Sequence, residues 1–119
     1  MTRTLLLLAA IFAWPVSANA SVTAEQEIQH LLNAVADSPC TFIRNGKSYD
    51  GEDARSHLER KYNYILGKGH ELTAEQFIEH AGTQSSWSGR NYQIQCPDSP
   101  AEPSADWLLR ALAAYRQAQ

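Results

Sequence analysis

The sequence predicts an α+β domain: a small three-stranded antiparallel sheet in the order 2-1-3, covered on one face by about four helices and closed by one disulfide. Three observations lead there. Four segments repeat apolar residues at helical spacing behind capping residues. Two stretches carry strand patterns, one around Asn45-Gly46 and one at Tyr92-Gln93-Ile94-Gln95-Cys96. The two cysteines, Cys40 and Cys96, stand at the edges of those stretches.

Ahead of the domain, Arg3 precedes an apolar run from Leu5 to Trp14, followed by Pro15, Val16 and the small-residue tripeptide Ala18-Asn19-Ala20. This pattern predicts a secretory signal peptide over residues 1–20, cleaved after Ala20. The apolar run falls well short of the roughly 20 residues that span a bilayer, and no second run follows, so no stable membrane insertion is expected. Residues 21–119 are then one globular domain. A chain sent to an oxidising compartment uses two cysteines as a structural bridge, here Cys40 to Cys96.

Thr23 and Gln26 have capping-box spacing, and Ile28, Leu31, Leu32 and Val35 follow on one face, so a first helix runs from about Ala24 to Asp37 and stops at Ser38-Pro39. Thr41 to Arg44 and Lys47 to Asp50 flank Asn45-Gly46, two residues that accept positive φ, which predicts a hairpin with a type I′ turn pairing Phe42 with Tyr49 and Arg44 with Lys47. A second helix starts at Asp50 or Gly51, carries Ala54, Leu58, Tyr62 and Ile65 on one face, and ends at Gly67 and Gly69. Thr73 and Gln76 repeat the capping box before a short third helix with Ala74, Phe77, Ile78 and Ala81, stopped by Gly82. After a polar loop from Thr83 to Arg90 comes the Tyr92–Cys96 strand. The proline-rich stretch from Asp98 to Pro103 reads as an extended connector, and Ser104 as the cap of a last helix with Trp107, Leu108, Ala111, Leu112 and Tyr115. Joining Cys40 to Cys96 pairs the first and last strands antiparallel, with Phe42 near Ile94 and Arg44 near Tyr92.

Without Arg3 the mature chain has nine basic against thirteen acidic residues, a net charge of −4, and no basic block, which argues against nucleic-acid binding. His30, His57, His70 and His80 form no i,i+4 pair and no His-Glu-x-x-His motif, so neither metal nor cofactor is expected. His57 adjoins the apolar stripe as a packed boundary residue. Ser85, Ser86 and Ser88 lack the Gly-x-Ser-x-Gly context of a nucleophile elbow and read as turn hydroxyls. Trp87 is either an exposed anchor for a partner or a plug folded back on the domain. The derived pairing brings Arg44, Lys47 and Tyr92 to one end of the core face, with Arg90 and the serine loop close in sequence: a candidate surface for an anionic ligand or an envelope partner.

Several stretches taken together resemble the YfeK-like family of small uncharacterised secreted bacterial proteins: Cys40 to Lys47, His57-Leu58 with Lys61-Tyr62, Thr73 to Ile78, Ser85-Ser86 with Ser88-Gly89, Tyr92 to Cys96, and Trp107 to Arg116. The resemblance implies a Gram-negative envelope address, hence the periplasm, and no activity. The resulting expectation is a non-enzymatic binding or interaction module of the envelope. The alternatives are a small periplasmic hydrolase using the Ser85–Ser88 loop, and a structural or stress-response protein with no small ligand. The absence of an assembled base, nucleophile and oxyanion site points away from an enzyme.

Overall fold

A computed structural model describes residues 22–119. The signal peptide expected over residues 1–20 and its expected cut after Ala20 lie outside these residues. The elements follow in the order α1 (Ala24–Asp37), β1 (Thr41–Arg44), β2 (Lys47–Tyr49), α2 (Gly51–Gly67), α3 (Ala74–Ala81), β3 (Gln93–Gln95), β4 (Glu102–Pro103) and α4 (Ser104–Gln117).

Local chemistry sets the ends of the helices. Thr23 and Thr73 each accept a hydrogen bond from the backbone N–H three residues on, while Gln26 and Gln76 return the bond to the cap N–H, so α1 and α3 both carry the full capping box. Asp50 caps α2 by accepting from Asp53 N at 2.8 Å. Asn45 and Gly46 hold φ of 51° and 77°, the left-handed pair that lets β1 turn directly into β2.

The sheet is antiparallel and α+β as expected, but it has four strands, in the order β2-β1-β3-β4. Phe42 pairs with Tyr49 on one side and Ile94 on the other, and Arg44 pairs with Lys47. The same register puts Cys40 opposite Cys96, and the two are bonded with a Cα–Cα distance of 4.1 Å. The fourth strand corrects the reading of Asp98 to Pro103 as a connector only: Glu102 pairs with Ile94 and Pro103 with Gln93. Proline has no N–H for a ladder, so it enters a sheet at its edge, and β4 is an edge strand. The chain passes from β4 straight into α4. Ser104 is therefore the first residue of that helix rather than its cap; Pro103 holds the cap position without a side-chain bond, and Ser104 N–H donates to the Tyr92 carbonyl at 2.9 Å.

Helix α2 lies against β1, and α4 against β3 and β4; α1 packs on α2 and α4, while α3 joins all three other helices. Ile28, Leu31, Leu32, Val35, Phe77, Ile94 and Leu108 are fully buried between them. Tyr62 meets Phe77 edge-on with ring centroids 5.6 Å apart, and Phe42 meets Trp107 at 6.3 Å. Two glycines permit close approach: a Cβ at Gly51 would stand 2.4 Å from the Val35 carbonyl oxygen, and one at Gly82 2.6 Å from the Leu108 Cδ1. At the other end Arg116 grips Glu27 with two bonds, at 2.6 and 3.0 Å, and also reaches Glu75, so one guanidinium ties α4 to α1 and α3.

Candidate functional site

Between the inner face of the sheet and α2 lies a partly enclosed cavity of about 520 Å³. Its volume is in the range of small-molecule sites. Phe42, Leu58 and Leu108 give it an apolar interior, and Arg44, His57 and Tyr92 give it a polar side. Strand alternation puts Phe42, Arg44 and Tyr92 on the same face. Helical periodicity puts His57, Arg60 and Lys61 one turn apart on α2, above them.

These side chains form a connected cluster. Arg44 Nη1 lies 2.8 Å from His57 Nδ1, His57 Nε2 lies 3.0 Å from the Tyr92 hydroxyl, and Lys61 Nζ donates both to that hydroxyl at 3.2 Å and to the Gln84 carbonyl at 3.0 Å. Lys61 also stands 5.0 Å from the centre of the Tyr92 ring, and Arg44 5.8 Å from that of Tyr49. Burial first, then the charges of Arg44, Lys61 and Arg60, push the His57 pKa down to about 4, so the ring is neutral at pH 7. Burial, with Arg44 adding to it, also lowers the pKa of Lys61; burial raises that of Tyr92 against the opposing pull of Arg44. Among the described residues no ion pair joins Arg44, Arg60 or Lys61 to a carboxylate. Asp53, exposed in the first turn of α2, is the one acidic side chain on the lining.

Residues 22–116 match a family of unknown function, DUF5329. The chain belongs to that family. The uncharacterized protein YfeK of Salmonella typhimurium is 36% identical over 87 residues, which cover 72% of this chain and 71% of that protein. No solved structure matches. The YfeK-like relation read from the sequence segments is therefore shown, and membership of DUF5329 brings no assigned chemistry to the cavity.

Of the residues singled out in the sequence, Arg44 and Tyr92 meet in the cavity, and Cys40 and Cys96 pin the strands beneath it. Lys47 is exposed on the edge strand β2, and Arg90 borders a separate recess with Asn45 and Asn91. In the serine loop the buried Ser85 hydroxyl accepts from Asn45 Nδ2 at 3.2 Å and from the N–H groups of Trp87 and Ser88, while Ser88 donates to Asn45 and accepts from Arg90 N–H. Among the described residues no hydrogen bond joins a histidine to a serine. Ser86 is exposed, and Trp87 stands 91% exposed at the tip. His57, read from the sequence as a packed boundary residue, joins the cluster, and Arg60 and Lys61 were not read as site residues. The signal for them was present, since the spacing i, i+3, i+4 beside the buried Leu58 places three nitrogen-bearing side chains along one edge of an apolar stripe.

Proposed function

We propose that the protein is a non-enzymatic binding module of the bacterial periplasm that holds a small anionic ligand with an apolar body in the cavity beneath its sheet. The observation that carries this reading is the polar side of the cavity, next to an apolar interior: Arg44 and Arg60 line it, Lys61 is bonded to the lining residue Tyr92, and among the described residues none of the three has a carboxylate partner. Cations left unpaired at a partly desolvated site favour an incoming anion, and the guanidinium fork suits a carboxylate. The address is supported by the apolar run and small-residue tripeptide at the start of the chain and by the Cys40–Cys96 bond.

Calorimetric titration of the purified protein with octanoate and with octylamine tests the reading. Octanoate should bind, more weakly as salt is raised, and octylamine should not. Arg44→Ala should weaken octanoate about 10- to 100-fold, the cost of losing a charge-assisted bond. No uptake of octanoate, or equal uptake by Arg44→Ala, overturns it.

A further inference from the structure

Donors and acceptors in the cavity cluster do not balance, and the imbalance has a direction. Arg44 carries only N–H donors, so its 2.8 Å contact makes His57 Nδ1 the acceptor; its approach to Nε2, at 3.5 Å, is longer. A neutral imidazole has one ring proton, which then sits on Nε2 and is donated to the Tyr92 oxygen 3.0 Å away. Lys61, also a pure donor, reaches the same oxygen at 3.2 Å. The phenolic oxygen thus accepts from two sides, and its own proton must leave in a third direction. No described protein group accepts that proton, although Tyr92 is buried and lines the cavity. Arg44 retains further N–H groups with no acceptor among the described residues, so every unfilled valence of the cluster there is a donor.

We propose that His57 is a positioning residue, held as its Nε2–H tautomer by Arg44, which commits Tyr92 to donate into the cavity and makes the site selective for a ligand head that only accepts: a carboxylate on an apolar body, in preference to an alcohol or amine of the same shape. This rests on the anionic-ligand reading above and adds the means of discrimination. A hydroxyl head would fill one acceptor requirement and leave the Arg44 donors unmet, and an ammonium head would place donor against donor.

Two measurements test it. Long-range proton–nitrogen NMR of the wild-type protein at neutral pH should show His57 protonated on Nε2 and bare on Nδ1; the opposite tautomer overturns the proposal, and no variant is needed. Calorimetry should show octanoate bound at least about tenfold more tightly than octanol by the wild type. Tyr92→Phe and His57→Phe should each lose about tenfold in octanoate affinity and so narrow the preference for octanoate over octanol. His57→Gln, whose amide both accepts and donates, should recover most of the loss seen in His57→Phe. Tyr92→Phe binding octanoate like the wild type, or His57→Gln no better than His57→Phe, overturns the positioning role. If octanoate binding depends on Arg44 but not on Tyr92, the anionic-ligand reading stands and this one falls. If the wild type takes up no octanoate, both fall.

Discussion

His57 shows how a residue that looks ordinary in the sequence acquires its character from its neighbours. On its own it is a histidine beside Leu58; folded, it faces Arg44 from the sheet and Arg60 and Lys61 from its own helix, and it stays neutral. Its pKa of about 4 lies below the 6.5 of the unfolded chain, so the unfolded state takes up the proton first and stability falls as pH drops from 6.5 towards 4. His57 is only half-buried, and solvent screening reduces the effect to about 1 to 2 kcal/mol. Glu75, held below the usual carboxylate range by its bond to Arg116, adds its own loss only below its ordinary value of 4.5. Urea unfolding at pH 7 and at pH 5 should therefore show a decrease that largely disappears in His57→Gln; equal decreases in both proteins would remove His57 as its source. Burial and cross-element charge create this behaviour, and neither is written in the spacing of α2. Tyr92 and Arg44, by contrast, were legible, because strand alternation alone assigns them to the core face.

Among the elements, the helices were legible because their ends are encoded locally. A threonine with a glutamine three residues later starts both α1 and α3, and Asp50 starts α2. The join between α1 and α2 depends instead on a contact that only the folded chain makes. Gly51 begins α2 against the last turn of α1, where a methyl group would meet the carbonyl oxygens of Val35 and Ala36 at 2.4 and 2.8 Å. Gly51→Ala should cost about 1 to 3 kcal/mol, as overpacking does, measured as a lower urea midpoint with an unchanged slope. A midpoint within error of the wild type would show that the two helices can separate freely. Strand β4 was hidden for a related reason: two residues long and containing a proline, it gains its strand character from pairing with Gln93 and Ile94. Ser104 was misread with it, since a serine ahead of an apolar stripe has the pattern of a cap, yet here it is the first residue inside the helix and its buried hydroxyl bonds no group among the described residues.

Across the whole molecule, the register of the sheet was readable because one covalent link and the twofold alternation of strands leave few choices. Setting Cys40 opposite Cys96 places Phe42 beside Ile94. The bond spans a sequence separation of 56, for which the chain-entropy estimate is about 4 kcal/mol, reduced by whatever order the unfolded chain keeps. Cys40→Ser with Cys96→Ser should lower stability towards that amount in thermal or urea unfolding, and the loss should match that of the wild type under reductant. Full stability without the bond would mean that the four helices and the sheet hold themselves. The linkage also governs how the molecule would survive cutting. The exposed stretch from residue 67 to residue 71 lies inside the closed loop. A protease entering there would produce two fragments that remain one particle, migrating together on a non-reducing gel and separately after reduction. β1 and β3 would stay tethered side by side, so a nicked molecule keeps the means to restore its sheet.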